Sequence, residues 1–475
     1  MANEHAIVIG GSMAGLCAAR VLSEFFDKVT VVDRDAYPAG AHERPGVPQS
    51  RHVHALLMRG RQELENLFPG FDRTMLEHGA IDINFGLDFA VLRRDGWGRR
   101  QHNPIETLFA SRVLMEETVR GLLRKLPNVE LIERADAAAF LIERGDAPRV
   151  SGLRVIPRDG RPEFTLTGQL VVDASGRGTK IPGWIKELGL PTPEEEIVDS
   201  HTGYASRWYK ASSPSRRPPQ WWWKGVWIEP LGDSAAEAGV LFPVEGERFI
   251  VTLAGWGGKY PPSDEDGFTA QLRKLRSPII AEEVALGEPM SNVYSYRQMA
   301  NRWRHYDKWQ ARLDGFVALG DATCAFNPVY GQGMTSAALE ALILRDCLKE
   351  RGGQVDAALP REFFTRIAAF QKDPWSMATG ADFSFAATEG RRPALAARAF
   401  SRVLGKMLEV GNDDPKIGDR LAEVVHMVRL PSALLDREIL ARIARAWGRR
   451  IIGRRPKAES TGAMPPLGAA PALEA

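Results

Sequence analysis

The sequence predicts an α/β protein in which a parallel sheet is interrupted by an antiparallel sheet and followed by a C-terminal helical region. Three stretches support this prediction. Residues 6–33 read as strand, glycine turn, helix and strand; residues 191–293 hold aromatic segments of alternating pattern; and residues 315–348 again read as strand, glycine turn and helix. The two strand–helix units are expected to form one domain, which the alternating segments interrupt.

The first unit, residues 6–33, has the layout of a dinucleotide-binding site. A short apolar run predicts a buried strand, and apolar residues then recur at the spacing of one helix face. Gly10, Gly11 and Gly15 lie between the two, and Asp33 ends the next strand. N–H groups at the helix start would face a pyrophosphate, and the carboxylate of Asp33 would accept hydrogen bonds from a ribose.

This unit departs from the usual G-x-G-x-x-G pattern at one position, where Ser12 replaces the middle glycine. A Cβ there crowds the approach of a phosphate, although the serine hydroxyl could also donate a hydrogen bond to it. Taken alone, the stretch is also compatible with a βαβ unit that binds no nucleotide.

Size and composition indicate a globular protein of two closely associated domains. The chain has 475 residues, of which 44% are hydrophobic and 26% charged, and its 62 Lys and Arg nearly balance its 60 Asp and Glu. No charge bias toward nucleic acid is therefore present. Cys17, Cys324 and Cys347 form no C-x-x-C pair, which argues against a disulfide framework or zinc site and for a reducing, cytoplasmic location. We expect no signal peptide and no membrane span.

Two arginines between the strand–helix units are candidate ligand contacts. Residues 34–50 are rich in Pro and Gly and predict a loop that leads into a helix at about 54–67, with Arg51 at the junction. Arg51 could reach a phosphate or a flavin, although a solvated basic turn is the more ordinary interpretation. Arg112 lies in the first turn of a helix predicted at 111–126, where the helix dipole does not favour a cation, so a ligand role is favoured.

Later strands are predicted to end in acids at the same edge of the sheet. One buried strand ends in Asp173 and is followed by a turn of small residues, and another ends at Asp321. Ligands bind at this edge in open α/β sheets, although an ordinary strand-to-loop transition explains Asp173 equally well. Gly331 and Gly333 then precede a helix from about Met334, so the chain returns to complete a site that it began near its start.

The aromatic region at 191–293 predicts an antiparallel sheet, including a hairpin of strands at 240–243 and 249–253. Such a sheet could form the floor of a pocket for a large apolar or aromatic substrate. Most of its tryptophans are expected to fill the core of the sheet, and one or two to face a ligand. The six are Trp208, Trp221, Trp222, Trp223, Trp227 and Trp256.

Beyond residue 360 the sequence predicts helices, followed by a disordered tail at 456–475 that is rich in Pro, Ala and Gly. The last helix, at about 437–455, is apolar on one side and rich in arginine on the other. It could lie on a membrane surface, but a capping helix with a solvated arginine face is the preferred interpretation.

The motifs GVPQSRHVH, DASGRG and LGDATCAFNPVYGQGM, in this order, resemble FAD-dependent monooxygenases of the p-hydroxybenzoate hydroxylase fold over roughly residues 5–350. They are most similar to the bacterial branch that includes polyether-polyene epoxidases, and more distantly similar to squalene epoxidases and geranylgeranyl reductases. The resemblance implies a Rossmann-like FAD-binding domain with an inserted antiparallel β-sheet substrate domain and a C-terminal helical region. The predicted parts are FAD-binding at 1–190 and 301–358, substrate sheet at 191–300, helices at 359–455 and tail at 456–475.

The resemblance also implies which residues hold FAD. The pyrophosphate would be held by Gly10, Ser12, Met13, Ala14 and Gly15. The adenosine ribose would be bound by Asp33 with Arg34 beside it, the ribityl chain by Asp321, and further FAD contacts would come from Arg51, Arg112 and Asp173. The isoalloxazine, near N1 and O2, would face backbone N–H groups of Gly331, Gly333 and Met334.

By resemblance, NAD(P)H would reduce the flavin, O2 would add at C4a, and one oxygen atom would pass to an apolar or aromatic small molecule by epoxidation or hydroxylation. No catalytic side chain and no metal ligand are predicted. Three alternatives stay open: a flavin-dependent halogenase, a reductase of a polyene or prenyl substrate, and a redox-neutral FAD binder. No nucleic-acid partner is expected, and the oligomeric state is left open.

Overall fold

A computed structural model describes residues 4–297, 299–412, 414–452 and 465. Its strands, β1 to β22 in chain order, are His5–Ile9, Lys28–Val32, Ile81–Asn84, Phe89–Arg93, Gly96–Trp97, Glu106–Phe109, Val129–Ile132, Ala135–Glu143, Arg149–Pro157, Phe164–Thr167, Leu170–Asp173, Glu195–Asp199, Gly203–Lys210, Gly225–Ile228, Glu237–Val244, Arg248–Gly255, Glu288–Pro289, Tyr294–Tyr296, Asn301–Arg304, Phe316–Ala318, Cys324–Ala325 and Glu389–Gly390.

The α-helices, α1 to α13 in chain order, are Met13–Leu22, Met58–Leu67, Phe71–Glu77, Phe85–Asp88, Arg112–Leu123, Ile181–Glu187, Glu265–Leu272, Ile279–Leu286, Gly333–Glu350, Leu359–Asp382, Leu395–Val410, Pro415–Val425 and Arg437–Ile451. The second helix begins at Met58, four residues later than predicted, because residues 53–57 run without regular secondary structure beside the large sheet. Residues 453–455 of the predicted last helix, and the predicted tail at 456–475 apart from Pro465, lie outside the described residues.

A five-stranded parallel sheet forms the first layer, in the order β20–β11–β1–β2–β7. Ile9 lies opposite Asp173 on one side and Val32 on the other, so the strands end together at one edge. Strands β1, β2 and β11 are almost wholly buried, as their continuous apolar runs predict. Helices α1 and α9 pack against each other, which confirms that the two strand–helix units belong to one α/β layer.

An eight-stranded sheet forms the second layer, in the order β17–β13–β16–β15–β14–β4–β5, with β18 also paired to β13. Its pairs are antiparallel except for β14 with β4. The predicted hairpin is present as β15 and β16. The sheet draws β4 and β5 from outside the 191–300 range, while β12 pairs with β19 in a separate four-stranded sheet. The domain boundaries stay a prediction.

The two faces of the eight-stranded sheet differ in what they pack against. On the outer face, Trp97, Trp221 and Trp223 join the core that includes residues of α7 and α8. The inner face carries Trp208 and the half-buried Trp227, together with residues that pack against segment 53–55. In the tryptophan-rich stretch, residues 221–227, Trp221, Trp222 and Trp223 pack in or against the outer core, while Trp227 lies on the inner face, to which Trp208 and Trp256 also belong.

The C-terminal helices extend from α10, which packs along α9, to α11, α12 and α13, which share a small core of their own. Within the described residues, no helix is both long and apolar enough to cross a bilayer. The same residues hold no cluster of three His, Cys, Asp or Glu side chains that could bind a metal.

Candidate functional site

The two glycine turns, at residues 10–15 and 320–333, meet at the edge of the parallel sheet. Gly320 has φ of +64°, and a Cβ on it would lie 2.8 Å from the Cβ of Ala14. Asp321 lies beside the start of α9, because its Oδ1 is 3.9 Å from the position that a Cβ on Gly333 would take. Stretches more than 300 positions apart in the sequence thus form one continuous surface.

The first turn is held tightly against the strand that ends in Asp173. Gly10 has φ of +97°, and a Cβ there would lie 2.6 Å from the carbonyl oxygen of Ala174, so only glycine fits this position. Asp173 is fully buried, and its carboxylate accepts hydrogen bonds from Ser175 Oγ at 2.5 Å and Thr179 Oγ1 at 2.6 Å. Burial raises the pKa of Asp173, and these hydrogen bonds oppose the rise. The carboxylate of Asp173 therefore stabilises the turn on which Gly10 packs.

Asp33 is also buried beside the first turn. Its Oδ2 accepts hydrogen bonds from the N–H of Gly11 at 2.7 Å and from Arg44 Nη1 at 3.0 Å, and its Oδ1 accepts one from the N–H of Asp35 at 2.8 Å. A carboxylate offers about four lone-pair sites, so one site is left for a further donor such as a ribose hydroxyl.

Four side chains form a buried ionic cluster over the start of α1. Glu116 accepts hydrogen bonds from Arg44 Nε at 2.7 Å and from Ser12 Oγ at 2.9 Å. Arg112 Nη2 donates to Ser12 Oγ at 2.9 Å and lies 3.0 Å from Glu116 Oε2. Although burial raises the pKa of Glu116, Arg112 and Arg44 hold it below its ordinary value. Ser12 thus lies inside a charge network, and its side chain caps no N–H of the helix.

Two buried donors at this turn lack an acceptor within the part of the chain that the structure describes. They are Arg112 Nη1 and the hydroxyl of Tyr37. The Tyr37 hydroxyl lies only 1.8 Å from the position that a Cβ on Gly11 would take, so it contacts the turn directly. Unpartnered buried donors beside a helix N-terminus fit the oxygens of a diphosphate. The residues present therefore fit the pyrophosphate of a dinucleotide such as FAD.

Arg34 and Arg51 are not brought into this cluster. Arg34 is exposed, and the side chain of Arg51 is 46% exposed, forms an ion pair of 2.7 Å with Glu43 and lies over the ring of Tyr294 at 4.8 Å. Glu43 and Tyr294, the two residues that Arg51 contacts, line a cleft of about 340 Å³. The cleft is lined by Ala41, His42, Glu43, Val113, Trp208, Arg248, Met290, Ser291 and Tyr294.

Sequence reasoning missed two members of the ionic cluster, Arg44 and Glu116. Arg44 lies in the Pro- and Gly-rich loop and gives no local signal. Glu116 follows Arg112 by four positions on α5 and forms an ion pair with it. An arginine and a glutamate at this spacing share one helix face, so Glu116 could have been found once Arg112 was chosen.

The second turn is stabilised by a buried carboxyl group on α9. Glu340 Oε2 accepts a hydrogen bond from the N–H of Gly320 at 2.6 Å, and its Oε1 accepts one from Gln371 Nε2 at 2.8 Å. Burial raises the pKa of Glu340 to about 8. Asp321 lies 3.5 Å from Arg177 at the open side of the same turn.

Three polar atoms at the start of α9 are buried without a hydrogen-bond partner among the described residues. They are Gln332 Oε1, Thr335 Oγ1 and Ser336 Oγ. The N-cap residue Gln332 also leaves the first N–H groups of the helix without a side-chain cap. A ligand with polar edges, such as an isoalloxazine, would satisfy groups of this kind.

The loop that leads into Gly331 is fixed from the C-terminal helical region. Asp382, fully buried at the end of α10, accepts hydrogen bonds from Asn301 Nδ2 at 2.6 Å, Tyr330 Oη at 2.7 Å and Asn327 Nδ2 at 3.1 Å. Burial raises the pKa of Asp382, and these donors oppose the rise. Sequence reasoning assigned no site residue beyond 360 and therefore missed Asp382.

A polar line crosses the inner face of the large sheet beside the second turn. His52 Nδ1 lies 2.7 Å from Ser206 Oγ, which lies 2.5 Å from Thr252 Oγ1. The His52 ring meets the edge of Tyr204 at 4.5 Å. Burial lowers the pKa of His52 to about 3 and that of His54 to about 4, so both rings are neutral at pH 7. The inner face therefore offers hydrogen-bonding groups and aromatic surface, and its two histidines are weak bases.

Three comparisons bear on this geometry, and no protein-family model matches the chain. Protein Rv3254 of Mycobacterium tuberculosis is 34% identical over 391 residues, which cover 81% of each chain. Kynurenine 3-monooxygenase of Salinispora tropica is 23% identical over 376 residues, or 73% of each chain. The structure of the flavin-dependent brominase Bmp2 superposes with a TM-score of 0.65 at 14% identity, covering 94% of this chain and 100% of the other.

Proposed function

The chain belongs to the same family as protein Rv3254 of Mycobacterium tuberculosis, and we propose that it is an FAD-dependent monooxygenase that acts on an apolar or aromatic small molecule with NAD(P)H as reductant. The name of the brominase supports a bound flavin, and the name of kynurenine 3-monooxygenase supports oxygen transfer. Epoxidation and hydroxylation are both compatible with this proposal.

One observation carries the proposal: two glycine turns, each with buried polar groups that lack a partner in the described chain, lie side by side. The first turn, with Gly10, Ser12, Arg112 and the start of α1, binds the pyrophosphate. The second turn, with Gly331, Gly333 and Met334, lies along the ring system, and Asp321 between the two binds the ribityl chain. Asp33 binds the adenosine ribose.

When bound, FAD supplies the redox chemistry, taking two electrons from the nicotinamide and using O2 to oxidise the substrate. The protein contributes position and electrostatics. The N-terminus of α9 places partial positive charge where the reduced ring carries negative charge. Asp382 holds Tyr330 and Asn327, and thereby sets the course of the loop beside that helix start.

The substrate would lie along the inner face of the large sheet near segment 53–55, where packed apolar side chains exclude water. Trp227 offers aromatic surface there. His52 and Ser206 offer polar contacts that orient a substrate, and His52 is a weak base because burial lowers its pKa to about 3. Epoxidation of an alkene fits such surroundings well, because it needs no protein base to activate the substrate.

The spectrum and oxygen consumption of the purified protein test the proposal. We expect a flavin absorption spectrum, and oxidation of NADPH or NADH that is stimulated by a member of a panel of polyenes and phenols. The product should gain one oxygen atom, labelled when the gas is ¹⁸O2. Protein that stays colourless when FAD is added, or turnover that leaves no oxygen in the product, would overturn the proposal.

The panel also separates the competing functions. A halogenase would need chloride or bromide for product formation, and a reductase would turn over without O2. The lysine of the tryptophan-rich stretch, Lys224, gives the halogenase no support, since it lies 3.3 Å from Asp88, donates to the carbonyl of Asp82 and has a half-exposed side chain. A redox-neutral binder would show bound FAD that no nicotinamide reduces with any member of the panel.

A further inference from the structure

Helix α13, Arg437–Ile451, presents two different faces. Ile439, Ile443, Ala446 and Trp447 pack into the small core shared with α11 and α12. The opposite face carries exposed residues at helical spacing from one end of the helix to the other. We call this face the α13 stripe; it consists of Arg437, Glu438, Leu440, Ala441, Ala444, Arg445, Arg449, Ile451 and the C-cap residue Ile452, and Glu438 is paired with Lys416 and Arg442.

The apolar part of the α13 stripe is unusually exposed. Ile451 is 73% and Ile452 64% exposed, and Leu430, on the segment leading to the helix, is 68% exposed. These are the three most exposed large apolar side chains in the described part of the chain. A capping helix with a solvated arginine face explains the buried residues and the cations, but it does not explain isoleucines in water.

The cationic part of the α13 stripe is uncompensated. Within the described ranges, Arg437, Arg445 and Arg449 have no carboxylate partner. Their neighbours on the same helix are paired: Arg442 with Asp414 at 3.0 Å, and Arg450 with Asp95 at 2.9 Å. Unpaired exposed arginines also occur elsewhere, and what distinguishes these three is that they share one helix face with exposed apolar side chains.

We propose that the α13 stripe docks on an anionic lipid surface. Ile451, Ile452 and Leu440 enter the boundary between headgroups and acyl chains, while the arginines keep their guanidinium groups at the lipid phosphates. This combination of exposed apolar side chains and unpaired cations complements a negatively charged bilayer. The attachment is peripheral, in keeping with the absence of a spanning helix among the described residues.

Docking in this way orients the rest of the molecule. Arg450 of α13 is paired with Asp95, and Asn412, between α11 and α12, accepts a hydrogen bond from Arg93 Nη1 at 3.1 Å. The C-terminal helices are thus tied to the hairpin of β4 and β5, at the edge of the sheet whose inner face lines the proposed substrate side. A substrate that partitions into lipid would be close to the enzyme, but the docking does not depend on the proposed function.

Co-sedimentation of the full chain with vesicles tests the proposal. Phosphatidylcholine vesicles with one third phosphatidylglycerol are compared with pure phosphatidylcholine, at low and at high salt. We expect binding to the anionic vesicles that high salt weakens. The triple variant R437E/R445E/R449E should lower the partition coefficient about a hundredfold, and I451S/I452S should lower it about tenfold or more.

A matched control removes the same net charge from elsewhere. The variant R73E/R161E/R312E changes three exposed arginines of other segments, and it should keep most of the vesicle binding. Circular dichroism and FAD content verify that each variant is folded. Three outcomes would overturn the proposal. The two triple variants could lose vesicle binding equally, or the unaltered protein could fail to bind vesicles. Alternatively, sedimentation without vesicles could show that the α13 stripe mediates self-association.

Discussion

A buried glutamate stabilises each of the two glycine turns, and the two glutamates differ in the direction in which their pKa is shifted. Glu116, at the first turn, lies among Arg44, Arg112 and Arg120, and the arginines hold its pKa below the ordinary value although burial raises it. Glu340, at the second turn, accepts hydrogen bonds only from uncharged groups, a backbone N–H and an amide, and burial raises its pKa to about 8. At pH 7, therefore, Glu116 is a charged member of an ionic cluster, whereas Glu340 is largely neutral.

This difference matches the two ends of the proposed cofactor. A diphosphate is a permanent dianion, so the turn that binds it needs cations. Carboxylates hold those cations in place, and each cation must keep an N–H group free for the ligand. Arg112 meets this requirement, because its Nη1 has no partner among the described residues. An oxidised isoalloxazine is neutral, and it needs N–H groups fixed at defined positions more than it needs charge. Glu340 anchors the turn that precedes these N–H groups, because it accepts the N–H of Gly320.

The largest expected effect comes from removing the spare cation of the first turn. Arg112→Met should weaken FAD binding by about a hundredfold or more, about 3 kcal/mol, because a hydrogen-bonded charge is lost in a buried site. Glu116 keeps Arg44 and Arg120 as partners, so the fold should survive. The dissociation constant is measured by titrating the apoprotein with FAD and following flavin fluorescence.

Arg51→Met is the matched control, because Arg51 also resembles an FAD contact in sequence but pairs with Glu43 at the surface. Its dissociation constant should change less than about threefold, as for an ordinary surface ion pair. If Arg51→Met weakened binding more than Arg112→Met, the ionic cluster would not be the phosphate site.

The second expected effect is a pH dependence of opposite sign at the two turns. The pKa of Glu340 is raised on folding, so its stabilising contribution is complete below its ordinary pKa of 4.5 and is lost as pH rises toward about 8. The pKa of Glu116 is lowered, so its contribution is lost only when pH falls below 4.5. Between about pH 6 and pH 9, therefore, Glu340 changes the free energy of unfolding with pH and Glu116 does not.

The variant Glu340→Gln isolates the contribution of Glu340 to the pH dependence of stability, since an amide still accepts the N–H of Gly320 but does not ionise. Over about three pH units from pH 6, the free energy of unfolding of the unaltered protein should fall by up to about 3 kcal/mol relative to the variant. Denaturant titrations at several pH values measure the difference. Parallel curves for the two proteins would show that Glu340 does not ionise in this range and would remove the contrast between the turns.

The turns themselves could be predicted from the sequence because their signals are local. A buried strand is a short apolar run, and a glycine after it marks a turn or a close approach, as at Gly10 and Gly320. The charged partners could not be predicted in this way. Arg44 and Glu116 are 72 positions apart, and Asp382 and Asn327 are 55 apart, so each pair exists only once the layers are packed.

Local sequence favoured a solvated turn for Arg51 and a ligand role for Arg112, and the exposure of the two side chains agrees with it. The family resemblance, by contrast, placed both arginines beside FAD. The packing of the elements determines which side chain is buried. Arg112 begins helix α5, which packs on α1, whereas Arg51 ends a loop at the surface. Likewise, alternation within the tryptophan-rich stretch predicted a sheet, but the α7 and α8 helices determine which of its faces is the outer core.

Within the ionic cluster, the smallest expected effect is at Ser12, the departure from the glycine pattern. Ser12 Oγ links Arg112 to Glu116, but the two also meet directly at 3.0 Å. Ser12→Gly should therefore change the dissociation constant for FAD less than about fivefold, since one neutral hydroxyl is worth about 1 kcal/mol. Ser12→Ala keeps the Cβ and separates crowding from hydrogen bonding. If Ser12→Ala matched Arg112→Met in its effect, the hydroxyl rather than the ion pair would be what positions the guanidinium, and the first turn would depend on a neutral group just as the second does.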